Sequence, residues 1–132
     1  MLGPAQICLT SALAHHDLTD AIPGTLDVAI PRGGRSPATE HAITWHQFDA
    51  ATFDLGRDEI PIEGTDLSIG LYSPERCIAD AFRLRGQLGY ETARDALKEW
   101  LRRGGKPNTL MRIALQLPRA KTPLLHALET LS

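Results

Sequence analysis

An α+β fold is predicted: an N-terminal helix, a small mixed or antiparallel sheet of three to five strands, and about four C-terminal helices. Strand-type alternation is confined to residues 26–71. Helical periodicity dominates from residue 74 onward. Glycine and proline punctuate most of the junctions. Strands grouped ahead of helices argue for α+β rather than a βαβ repeat. At 132 residues the chain is read as a single domain over 1–132, long enough to bury one core.

Pro4 suits the first turn of a helix, and Leu9, Ala12, Leu13 and His16 follow at i, i+3, i+4, i+7. Residues 4–16 therefore read as one amphipathic helix, broken at Ile22-Pro23-Gly24. Leu26, Val28 and Ile30 alternate with Asp27 and Ala29 in a half-buried strand that ends at Pro31. Residues 32–39 read as a loop, and Ile43 with Trp45 as a second short strand. Residues 47–58 show no clear period beyond a possible short strand at 52–55. Ile60 and Ile62, then Gly64-Thr65, then Leu67, Ile69 and Leu71 read as an antiparallel hairpin. Ser73-Pro74-Glu75 supplies a helix cap, a first-turn proline and an early acid. That helix buries Ile78, Ala81 and Phe82 and ends near Gly86 or Gly89. Residues 90–103 form the next helix, stopped by Gly104-Gly105. Residues 108–117 follow, capped by Asn108 and stopped before Pro118. In 122–131 Thr122 caps and Pro123 opens the last helix.

The formal net charge of −2 conceals a division. Residues 1–72 carry 3 basic and 10 acidic side chains, and residues 73–132 carry 11 and 6. An acidic half of −7 thus precedes a basic half of +5, which excludes only a uniformly basic nucleic-acid binder. Two cysteines, Cys8 and Cys77, are too few for a disulfide framework and read as buried thiols. The uncharged stretch 1–14 lacks a basic leader region and is too short to span a bilayer. A cytoplasmic protein without membrane contact is the expectation.

Catalytic and metal motifs are missing. There is no GxSxG elbow and no phosphate loop, so no cofactor is expected. Ser73 reads as a cap rather than a nucleophile. A magnesium nuclease needs clustered carboxylates, usually with a lysine beside them, yet the first lysine is Lys98. Asp49, Asp54, Asp58 and Glu59 read as solvated loop acids without an obvious cationic partner. His15-His16-Asp17 and the pair His41, His46 read as surface or packed histidines, and no metal is expected. Arg76, Asp80 and Arg83 lie at i, i+4, i+7, where one acid can pair two arginines; a buried Asp80 would make that pairing fold-determining. Arg102, Arg103, Lys106, Arg112, Arg119 and Lys121 fall in residues 100–128 with no acid among them. This run is either a solvated face or a patch for RNA, DNA or an acidic protein. It contains no aromatic stacking platform, which argues against specific single-strand recognition.

Several blocks resemble a known family. The run Ile7-Cys8-Leu9-Thr10-Ser11-Ala12-Leu13-Ala14-His15-His16-Asp17-Leu18-Thr19-Asp20-Ala21-Ile22-Pro23 resembles the opening of the second domain of AbiEi-type antitoxins. Ala29-Ile30-Pro31-Arg32-Gly33 and Ile62-Glu63-Gly64 are similar to it as well. The most recognisable segment is Leu71-Tyr72-Ser73-Pro74-Glu75-Arg76-Cys77-Ile78-Ala79-Asp80-Ala81-Phe82-Arg83; Gly89 and the helix of Ala93–Leu101 fit behind it. The resemblance covers nearly the whole chain and rests on the order of these blocks, none of which is a catalytic fingerprint.

The resemblance implies an antitoxin of a type IV bacterial toxin–antitoxin pair of the abortive-phage-infection kind. Its partner would be a nucleotidyltransferase-like toxin that acts on nucleotides or tRNA. The family usually counteracts toxicity without a stable complex. A kinase-like action on the toxin has been proposed for some members, but this chain has no kinase Gly-rich loop or HRD-type motif to carry it. The family's N-terminal winged-helix domain is not expected within these residues, which start where that domain would have ended. The expected contact residues are Arg102, Arg103, Lys106, Arg112, Arg119 and Lys121, with Arg76 and Arg83. The alternatives are a DNA- or RNA-binding regulator and a kinase-like modifier.

Overall fold

The computed structural model describes residues 5–36 and 42–131. Five strands form one mixed sheet: β1 (Gln6–Ile7), β2 (Leu26–Pro31), β3 (Ile43–Phe48), β4 (Arg57–Pro61) and β5 (Ser68–Tyr72). Their order is β3-β2-β1-β5-β4. β1 runs antiparallel to β2 and parallel to β5, with Gln6 opposite both Ala29 and Gly70. β2 and β3 are parallel, and β4 and β5 make the antiparallel hairpin. The helices are α1 (Leu9–His15), α2 (Pro74–Arg83), α3 (Arg85–Leu88), α4 (Tyr90–Arg102), α5 (Pro107–Ala114) and α6 (Lys121–Leu131). The α+β layout holds.

The first expected helix is two elements. Gln6 and Ile7 pair with strands on both sides, and only from Leu9 does the chain turn helical. The apolar spacing of 9–16 is helical, but two edges of backbone hydrogen-bonding groups capture the residues before it. Pro4 lies outside the described residues, as do 37–39 of the expected loop.

β2 is buried through Val28, Ala29 and Ile30 in succession, which alternation with one wet face does not give. Val28 and Ile30 pack with Ala5 and with half-buried Ile43 and Trp45, while Ala29 joins the main core. No strand forms at 52–55. Asp49 accepts the Ala51 amide and caps a short 3-10 turn over Ala50–Thr52. β4 then begins at Arg57, so Asp58 and Glu59 are strand residues rather than loop acids. Arg57 is the cationic partner the sequence did not reveal, at 3.2 Å from Glu59 and 3.9 Å from Asp54.

α2 is the centre of the molecule: every residue from Arg76 to Phe82 is buried. It ends at Arg83, and α3 intervenes before Gly89, whose φ of +91° suits glycine. α5 starts at Pro107 with Lys106 as its cap, not Asn108, because Pro107 takes the first-turn position that needs no donor. It also stops at Ala114, three residues short of the expected end. α6 starts at Lys121 rather than after Thr122, which leaves Pro123 still within the first turn.

Candidate functional site

α2 organises the site. Ser73 Oγ accepts the Arg76 amide at 3.2 Å, and Pro74 opens the helix, as its sequence requires. Arg76, Asp80 and Arg83 then share one side of it. Arg76 Nε donates to both Asp80 oxygens, at 3.1 and 3.0 Å, and Arg83 Nε donates to Oδ1 at 2.7 Å. Arg76 Nη1 also donates to the carbonyls of Thr52 and Leu55, at 2.7 and 2.8 Å. Its guanidinium carbon lies 4.2 Å from the centroid of the Tyr72 ring, and that of Arg83 lies 4.7 Å from the Phe48 ring. The Tyr72 hydroxyl donates to the Phe53 carbonyl at 2.6 Å. Burial pushes the Tyr72 phenol well above its usual range, partly offset by Arg76. Burial, reinforced by Asp80, likewise raises the thiols of Cys8 and Cys77, which are unreactive in this setting.

This geometry corrects the role expected of Arg76. Neither its side chain nor that of Asp80 has any exposure, so Arg76 cannot reach a partner; it is a core residue. Arg83 is 13% exposed and shows only an edge. That edge lines a small cleft of about 190 Å³ together with Arg32, Arg119, Asp49, Thr52 and Phe48. Arg119 sits at φ +67° in the link before α6 and also lines a neighbouring cleft of about 750 Å³. There it meets Arg85, Tyr90, Thr122 and His126. Tyr90 is 40% exposed, and its ring is braced edge-on by Phe82.

The end of α4 carries a second arrangement. Glu99 receives Arg102 Nε at 2.8 Å and Arg103 Nε at 2.7 Å, and these bonds hold its carboxyl down at about 2. The same partner raises Arg102. Arg103 also donates to the carbonyls of His16, at 2.9 Å, and Asp17, tying α4 to the end of α1. The groove beside them carries Asp17, Asp20, Asp95 and Glu99 against Lys98, Arg102 and Arg103, so it is mixed in charge rather than basic. Lys106, Arg112 and Lys121 are exposed, and their side chains make no ion pair or hydrogen bond among the described residues.

The structure therefore divides the basic run. Arg102 and Arg103 are held by Glu99, Lys106, Arg112 and Lys121 stand free of side-chain partners among the described residues, and Arg119 joins Arg83 at a separate place. Three participants were missed in the sequence: Arg32, Arg85 and Tyr90. The aromatic residue absent from the run comes from the start of α4. No spacing rule connects Arg32 to Arg119, because only the sheet order and the packing of α2 bring them to one cleft.

No group of three or more His, Cys, Asp or Glu side chains among the described residues is placed to hold a metal. His41 lies outside them. No described helix is long and apolar enough to cross a membrane. Compared with protein-family models and with characterised proteins, the chain finds no match.

Proposed function

We propose that this chain is an AbiEi-type antitoxin domain that acts in the bacterial cytoplasm without catalysis of its own and counteracts a cognate nucleotidyltransferase-like toxin. The block Leu71–Arg83 carries the reading. It holds the most recognisable part of the resemblance, and the same residues make the last sheet strand run into the buried central helix. Contact with the toxin falls to exposed basic residues: Lys106, Arg112 and Lys121, with Arg102, Arg103 and Arg119 beside them and the edge of Arg83. Co-expression with the toxin encoded next door tests the reading, which fails if growth is not restored. Charge reversal at Lys106, Arg112 and Lys121 together should weaken rescue and leave the melting temperature unchanged, since these side chains hold nothing in the fold.

A second reading, a nucleic-acid-binding regulator, is favoured by the same unpaired cations. It predicts salt-sensitive retardation of the operon's promoter fragment. No retardation at low salt would remove it.

A further inference from the structure

We infer that the paired clefts around Arg119 form a nucleotide site, with a terminal phosphate in the small cleft and the nucleobase against Tyr90 in the larger one. This inference is independent of the antitoxin reading.

Charge is the first argument. Arg32, Arg83 and Arg119 line the small cleft, and Arg76 lies beneath it, bonded to the backbone of the lining residue Thr52. Among the described residues, the acids facing these four arginines are Asp49 and Asp80. Asp80 is shared between Arg76 and Arg83, and Asp49 Oδ1 is engaged with the Ala51 amide at 3.2 Å. Two positive charges are left over at a partly closed place, where arginine's planar donors suit a phosphate better than water does. Arg119 has no acidic partner among the described residues, and Arg76 Nη2 is buried without a hydrogen bond.

Size and shape are the second argument. The cleft of about 190 Å³ is the smaller of the two and suits a phosphate better than a nucleoside. The adjoining cleft of about 750 Å³ has room for a nucleoside and presents a braced aromatic ring with Arg85 and His126. Aromatic and guanidinium planes are the usual seats for an unpaired base. Arg119 lines both clefts, so one side chain spans the junction of phosphate and nucleoside.

Calorimetric titration of the whole chain with AMP, inorganic phosphate and adenosine tests this. AMP should bind, and adenosine should bind at least about tenfold more weakly, as loss of a charge-assisted contact predicts. Arg119→Glu and Arg32→Glu should each lower AMP affinity by about tenfold or more with the circular dichroism spectrum unchanged, since both side chains are exposed. Tyr90→Ala should weaken AMP and leave inorganic phosphate as it was. The inference is overturned if neither AMP nor phosphate binds, or if AMP binds both arginine variants as tightly as the unaltered chain. It is equally overturned if a dinucleotide lacking terminal phosphates binds as well as AMP, since the clefts would then read the backbone of a nucleic acid strand.

Discussion

Asp80 on α2 and Glu99 on α4 each hold two arginines three and four residues away along the helix. The chemistry is the same; Asp80 lies between its arginines and Glu99 ahead of both of its own, but burial is what separates them. Asp80 has no exposure, Arg76 none and Arg83 13%, whereas Glu99 is 27% exposed, Arg102 71% and Arg103 41%. In the first cluster every bond replaces a lost water, so removing Asp80 leaves Arg76 buried without its counter-charge. In the second, water and salt stand ready to take over. A sequence pattern that nominates an ion pair therefore says little about its importance until depth is known.

The sharpest way to break this comparison is to remove the acids. Asp80→Ala strands Arg76 in the core and should cost about 3–5 kcal/mol in denaturant unfolding, the range for breaking a buried pair. Should that variant fail to fold, Asp80→Asn provides a milder step: its carbonyl oxygen can still accept, while the charge and one acceptor are lost. A change in midpoint no larger than that of a surface substitution, about 0.5 kcal/mol, would mean that the buried cluster is not what holds α2 in place.

Two glycines sharpen the same contrast from the backbone side. Gly56 and Gly104 have φ of +76° and +91°, so alanine is strained at both by about 1–2 kcal/mol. At Gly104 a new Cβ meets nothing within 4 Å. At Gly56 it would lie 2.7 Å from Arg76 Cβ and 3.1 Å from Ser73 Oγ, at the foot of α2. The Gly56→Ala variant should therefore lose about 2–5 kcal/mol, strain plus overpacking, and Gly104→Ala only the strain. Equal losses at the two positions, measured by chemical denaturation, would show that the region around Arg76 yields as readily as the surface.

Separation along the chain, rather than depth, divided the readable from the unreadable. Ser73-Pro74-Glu75 announces the start of α2 because capping is local chemistry, and the spacing of Arg76, Asp80 and Arg83 announces their pairing. The hairpin of β4 and β5 follows from alternation around a turn. β1 was hidden because two residues have no period, and its strand identity comes wholly from β2 and β5. Arg32 and Tyr90 were hidden for the same reason: they lie 87 and 29 residues from Arg119 in sequence, and only packing between elements brings them to the arginine clefts. The basic run misled because adjacency in sequence is not adjacency in space. Glu99, one residue outside its boundary, engages its first two members.

The smallest expected effect is the pH dependence at Glu99. Its carboxyl lies near 2 in the folded chain, below an ordinary value of 4.5, because Arg102 and then Arg103 donate to it. A lowered carboxylate contributes stability that is fully present above 4.5 and lost as pH falls from there toward 2. Glu99→Gln should therefore match the unaltered chain's melting temperature near pH 3 more closely than at pH 6. Raising the salt to 1 M, where screening acts within about 3 Å, should shrink the difference at pH 6. The cluster also carries Arg103's bonds to the carbonyls of His16 and Asp17, which do not titrate in this range and should survive the substitution. If the melting difference at pH 6 instead persists in 1 M salt, Glu99 acts mainly by positioning Arg103 against α1, and the exposed cluster is coupled to the core in the way the buried one is.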